Sequence, residues 1–199
     1  LSAWVLCSHR SPWRDLPPLR HPVEAKFLRP LYLGESIAPF RVIDPVLSVV
    51  PWDEESQTLM DAAAARSQGY ARLWAWLNQA EAHWTKHSSG GMALLQRWNY
   101  HGSLAVQFPP AKLRVVYATS GTNVAAAVLR DEQGVIDNKL YWAAVESVGE
   151  ARYLEALLNC ATVQNRISPM QSRGQWGARD FHKLAFELRI PRFESKNPL

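Results

Sequence analysis

The placement of proline constrains what this chain can fold into more than any other sequence feature. Pro12, Pro17, Pro18, Pro30, Pro39 and Pro45 interrupt the first 52 residues, and then no proline occurs from 54 to 87. A residue that lacks a backbone N–H and holds φ near −65° breaks helices and is confined to the edges of sheets. The first stretch therefore has room only for short strands, and its apolar and β-branched runs predict them at 3–7, 23–28, 40–43 and 46–50. The second stretch contains one glycine, Gly69, and many strong helix formers. Tyr70, Leu73, Trp74, Leu77 and Trp84 recur there at helical spacing and predict one apolar face. Glu54 and Glu55 at the head, with Lys86 and His87 at the tail, match the sign of a helix dipole. A single long helix is predicted over 54–87, stopped by Ser88, Ser89, Gly90 and Gly91.

Beyond residue 90 the pattern turns to strands again. Runs at 103–108, 113–119 and 122–130 read as strands, and a turn at 131–134 leads into two more, at 135–137 and 139–145. Tyr153, Leu154, Leu157, Leu158 and Ala161 then mark a shorter helix over 150–167. A polar loop with Gly174 and Gly177 follows at 168–180, and 184–191 reads as a closing strand. Strands adjacent in sequence with two inserted helices predict an α+β fold with a mixed, mostly antiparallel sheet, one long helix and one shorter helix. Composition divides the chain into three parts: a short-stranded part at 1–53, the long helix at 54–90 and an α+β part at 91–199.

A chain of 199 residues with 47% hydrophobic and 20% charged residues has the composition of a folded domain. No apolar run approaches the roughly 18 residues a membrane span needs, and Arg10, Arg14 and Arg20 interrupt any signal-peptide pattern. Cys7 and Cys160 are far apart and outside any C-x-x-C spacing. They predict a reducing, cytoplasmic setting and neither a disulfide framework nor a cysteine zinc site. The first residue is Leu1, which predicts a segment of a longer protein. A net charge of +4 is compatible with a nucleic-acid partner without requiring one.

Glycine signatures for nucleotide or methyl-donor binding are missing from the sequence, so no cofactor is expected in this segment. His83 and His87 stand four apart on the predicted helix, but the third ligand of a metal site has no candidate nearby and no metal is expected. Asp15, Glu24 and Lys26 imitate the D…E-x-K pattern of metal-dependent nucleases, in which carboxylates hold Mg²⁺ and the lysine assists water. Alternation along a half-buried strand accounts for Glu24 and Lys26 equally well. Trp74, Trp76 and Trp84 would serve a protein-interaction module if their helix docked a partner. The stretch 168–183 is the richest in recognition chemistry. Arg173, Gln175, Arg179 and Lys183, with Gln171, Trp176 and His182, are the side-chain types that grip phosphate, read base edges and stack on bases.

Several segments, in order, carry a resemblance: 28–40, 97–108, 114–129, LYWAAVESVGEARYLEALLNC at 140–160 and SRGQWGARDFHKLAFELRIPRF at 172–193. Together they resemble the C-terminal target-recognition region of bacterial N6-adenine DNA methyltransferases, of the long type found in fused restriction–modification enzymes and phage-defence methylases. The strand, the helix ending in Leu-Leu-Asn, the R-G…R-D-x-H-K loop and the Ile-Pro-x-Phe finish are its most specific parts. They are also similar to specificity subunits of type I restriction systems. Coverage runs from about 25 to 195, with 54–90 weakly matched. The family's S-adenosylmethionine loop and Asn-Pro-Pro-Tyr motif have no counterpart here, since Asn197-Pro198-Leu199 is not that motif.

The resemblance thus implies a non-catalytic, DNA-binding recognition module of bacterial defence, with double-stranded DNA as partner. It also implies an upstream catalytic domain in the same chain that holds S-adenosylmethionine, and a parent that methylates adenine at N6, with or without restriction activity. Arg173, Gln175, Arg179 and Lys183 are the expected DNA contacts, with Trp176 and His182. Arg97, Tyr100, His101, Ser120 and Asn123 are secondary. The alternatives left open are the metal-dependent nuclease and the protein-interaction module.

Overall fold

The structure is a computed structural model that describes residues 13–16, 19–174, 177–178, 180 and 184–194. In chain order its strands are β1 Leu28–Tyr32, β2 Ile37–Ala38, β3 Arg41–Val42, β4 Val46–Val49, β5 Trp52–Asp53 and β6 Thr58–Leu59. Three helices follow, α1 Ala62–Ser67, α2 Ala71–His87 and α3 Leu94–Trp98. The second half contains β7 Arg114–Ala118, β8 Ala126–Leu129, β9 Val135–Ile136, β10 Leu140–Ala144, α4 Val148–Asn159 and α5 Ala161–Ile167. It ends with β11 Arg173–Gly174, β12 Gly177–Ala178 and α6 Leu184–Glu187. The fold is α+β, with several small antiparallel sheets. Among the described residues no helix is long and apolar enough to cross a membrane. Two compact units form, one from Leu1–Leu31 with Val46–Pro109, the other from Tyr32–Pro45 with Pro110–Leu199. These limits follow packing, whereas divisions at 53/54 and 90/91 follow composition.

In the first unit the predicted 54–87 helix is replaced by a hairpin and two helices. Asp53 closes the β5–β6 turn by accepting from the Ser56 hydroxyl at 2.7 Å, the Gln68 amide at 3.2 Å and the Glu55 N–H at 3.2 Å. Gln57 sits at φ 55°, a left-handed conformation that a continuing helix does not contain. Asp61 then caps α1 by accepting the Ala64 N–H at 2.7 Å. Gly69, at φ 82°, ends α1 rather than riding inside a longer helix. Its N–H donates to Arg66 O and the Tyr70 N–H to Ala65 O, the paired bonds of a Schellman stop.

Helix α2 buries Leu73, Trp76, Leu77 and Ala80, all at most 3% exposed. The predicted face is therefore rotated, with Trp76 inside and Trp74 only half-buried beneath the Arg66 guanidinium, 5.0 Å away. Phe27, Val49, Met60 and Leu94 complete this core. Strands β1 and β4 pair antiparallel, Leu28 opposite Val49. The predicted strand at 23–28 begins instead with a tight turn at Ala25–Phe27 and becomes extended only from Leu28. The predicted strand at 103–108 is also turned, because Asn99 Oδ1 accepts the N–H groups of Leu104 and Ala105 and Gly102 takes φ 74°.

In the second unit the sheet runs β10–β7–β8, with Trp142 opposite Val116 and Ala127 opposite Val116 on the other side. Side chains alternate across it, as the pleat requires. Val116, Ala127 and Leu129 face one core with Tyr32, Ile37 and Leu140, while Tyr117 and Ala126 face another with Val163, Ile167 and Ala185. The predicted helix at 150–167 is two helices, divided where Cys160 turns extended. Ser147 caps α4 by accepting the Glu150 N–H at 3.1 Å.

Three side chains from these helices cover backbone groups along and just before β8. Gln164 accepts the Val124 N–H and donates to its carbonyl, both at 2.9 Å. Asn159 does the same at Ala126, at 3.0 and 2.8 Å, and Glu155 accepts the Val128 N–H at 2.9 Å. Two side-chain amides and a carboxylate thus stand where a further strand would pair, which blunts the edge. Arg114 is fully buried and donates to the carbonyls of Asp131 and Gly134 at 2.6 and 2.9 Å, pinning the turn after β8. Burial lowers its pKa. A Cβ at Gly134 would lie 2.5 Å from the Tyr32 ring, so only glycine fits there. The predicted closing strand at 184–191 is instead the short α6 followed by irregular chain from 188. Leu184, Ala185 and Leu188 have helical spacing and pack together against the α5 side of the core.

Candidate nucleic-acid interface

The structure brings two of the sequence-predicted segments together within the second unit. Ser120 forms an antiparallel bridge with Asp180, and the Gln171 side chain donates to the Gly121 carbonyl at 3.2 Å. The turn after β7, which carries exposed Ser120 and Asn123, therefore lies beside the chain that carries β11 and β12. Arg173 pairs with Ala178 and Gly174 with Gly177, so a narrow hairpin is held at its base. Gln171 is 6% exposed and spent on this anchoring, which removes it from the candidates for base contact. Gln175, Trp176, Arg179, His182 and Lys183 lie outside the described residues, as does the side chain of Arg173.

The remaining candidates belong to the first unit and form a cluster of their own. Arg97, at the end of α3, holds its guanidinium 5.7 Å from the Tyr100 ring centroid. The Tyr100 and His101 rings stand 4.1 Å apart, and both side chains are exposed. His101 takes φ 54° in a turn braced by Asn99. One cation, one phenol ring and one imidazole thus face solvent together. Such a set can meet a phosphate with its charge and an unstacked base with its rings.

Other sequence candidates have internal work. Glu24 accepts the backbone N–H groups of Arg72 at 3.1 Å and Leu73 at 2.8 Å, so both carboxylate oxygens hold the start of α2. Lys26 lies over the Tyr70 ring, 3.8 Å from its centroid. The His83 and His87 rings are 6.3 Å apart, and His87 stands edge-on to Trp13. Among the described residues no three or more His, Cys, Asp or Glu side chains gather in a group that could hold a metal ion. Trp76 is 1% exposed and unable to dock a partner, and Trp84 donates its indole N–H to Met92 O at 2.6 Å.

Sequence reasoning missed two features. An open groove of about 750 Å³ lies along α1 and α2, lined by Asp61, Arg66, Trp74, Asn78 and Glu81. The other is the β2–β3 hairpin, whose tip residue Phe40 is 58% exposed. No protein-family model matches this chain, and no curated protein does.

Proposed function

We propose that this chain is the DNA target-recognition segment of a site-specific N6-adenine DNA methyltransferase of the restriction–modification kind. The observation that carries the reading is the Ser120–Asp180 bridge with its Gln171–Gly121 brace. It seats the β11–β12 hairpin, whose sequence includes Arg173 and Gln175, beside a turn with exposed hydroxyl and amide groups. Phosphate contacts from such a surface would set the register on DNA, and base-edge contacts would choose the sequence. The methyl donor S-adenosylmethionine and the pocket for the extruded adenine would belong to an upstream domain of the same chain. With those parts elsewhere, the described surface needs only to grip and read. Engagement of Glu24 in helix capping weighs against the nuclease alternative.

The test is titration of labelled duplex DNA with the 199-residue chain, followed by fluorescence anisotropy over a range of salt. Binding should be micromolar or weaker at physiological salt and should tighten steeply as salt falls. Arg173→Ala and Arg179→Ala should each weaken it. No binding at about 50 mM salt would sink the reading.

A further inference from the structure

We propose that the β2–β3 hairpin is a DNA-unstacking wedge, with the Phe40 ring as the inserted group. This rests on the DNA-recognition reading and adds a contact that the sequence did not single out. Ile37 pairs with Val42 and Ala38 with Arg41, leaving Pro39 and Phe40 as the turn. Phe40 takes φ 61° in that turn, a place after proline that glycine or asparagine ordinarily fills. A bulky aromatic residue there carries a backbone cost, and its ring is left more than half in solvent, 58% exposed, rather than packed into the core. The ring belongs to none of the buried clusters of the described residues.

Its mounting is rigid. The Phe40 N–H donates to Ala126 O at 2.9 Å, the Ile43 N–H to Ser36 O at 2.8 Å, and Ile37 is buried in the sheet core. The one charged side chain of the ribbon, Arg41, follows Phe40 in sequence and is exposed, while Glu35 and Asp44 stand outside the ribbon. A two-stranded ribbon is narrow enough to enter a DNA groove, and an apolar ring pushed between base steps is a known way to unstack and kink a duplex. The positive charge of the ribbon would meet phosphate as the tip enters.

The experiment compares two labelled duplexes of one sequence, one fully paired and one with a single unpaired nucleotide, titrated with the 199-residue chain at low salt. An unpaired nucleotide lowers the cost of unstacking, so the wild type should prefer the bulged duplex by about fivefold or more. Phe40→Gly suits the backbone, so its melting temperature should equal or exceed the wild type's, while its preference should fall to about one. Phe40→Leu should keep part of the preference. Binding in which wild type and Phe40→Gly discriminate equally overturns the wedge and leaves the recognition reading standing. Failure of the wild type to bind either duplex overturns both.

Discussion

The Glu24 carboxylate accepts the backbone N–H of Leu73 at 2.8 Å and so closes the first turn of α2 from a distant part of the chain. The residue at the helix boundary, Tyr70, provides no side-chain cap, so Glu24 takes that role with its second oxygen on Arg72. A negative group at this end also complements the helix dipole. Glu24→Ala should cost about 1 kcal/mol, the ordinary worth of an N-cap, while Glu24→Gln should keep part of it. Urea unfolding measures the difference, and an alanine variant as stable as wild type would show that the cap is idle.

Leu77 is fully buried in the core beneath α2, and Val106 is 68% exposed on the surface of the same unit. Leu77→Ala should cost about 2–5 kcal/mol through lost contacts and a residual cavity. Val106→Ala should stay within about 0.5 kcal/mol. Comparable losses at the two positions would mean the buried face of α2 is misassigned.

Much of the sheet was legible because its strands are short apolar runs bounded by turn residues. Val116 and Tyr117 are neighbours that feed opposite cores, and a strand buried on both faces shows in the sequence as the short apolar, β-branched run of 113–119. What periodicity did not disclose depends on individual side chains bonding to backbone. Residues 54–61 read as helical by composition, yet the three bonds to Asp53 and the positive φ of Gln57 make them a hairpin turn. Gly69 reads as a tolerated glycine until the Schellman bonds make it a stop, and within α2 the tertiary packing buries Trp76 fully and Trp74 only in part. Part of the candidate interface was named from residue chemistry. The nearness of Ser120 to Asp180 is a non-local pairing with no local signature.

The Asn159 amide occupies the pairing groups of Ala126 and also donates to Glu155 O at 2.8 Å. Asn159→Ala should cost about 1–3 kcal/mol, because it strips partners from half-buried backbone groups. Asn159→Asp should cost more, since a carboxylate would replace a donor that faces two carbonyls. Hydrogen exchange at the Ala126 amide should quicken in both variants. Protection unchanged there would refute the bracing role.

Two carboxyls in the first unit should shape the acid response in opposite directions. Burial and the nearby Asp61 charge hold Glu81 above its ordinary value of 4.5. The folded state then binds that proton more tightly than the unfolded one, so ionised Glu81 costs stability at neutral pH and the cost disappears below 4.5. Glu81→Gln should raise the melting temperature at pH 7 and leave it unchanged in acid. Hydrogen bonds from Ser56 and then Gln68 hold Asp53 below its ordinary 3.8. Its contribution is complete above that value and is lost as pH falls through the lower folded one. Asp53→Asn should therefore destabilise at pH 7, with the gap closing in acid. Melting curves of the two variants that shift in the same direction at pH 7 would contradict this assignment.

Arg97 and Tyr100 touch as cation and ring, 5.7 Å from guanidinium carbon to centroid, yet on the proposed DNA-binding reading their parts should separate by salt. An arginine that meets phosphate displaces a counterion, so Arg97→Ala should weaken binding to every duplex and reduce the salt slope by about one unit. A stacking ring displaces none. Tyr100→Ala should cost about 1–3 kcal/mol on DNA with an unpaired base and leave the slope unchanged. An arginine that reads a base would behave differently again, relaxing the choice at one base pair for about 1–3 kcal/mol, and Arg173 and Arg179 are each expected to take one of these two parts, phosphate or base. Anisotropy titrations of the variants from about 50 to 200 mM salt distinguish these outcomes. If Arg97→Ala and Tyr100→Ala both keep wild-type affinity and slope, the exposed cluster after α3 lies away from DNA.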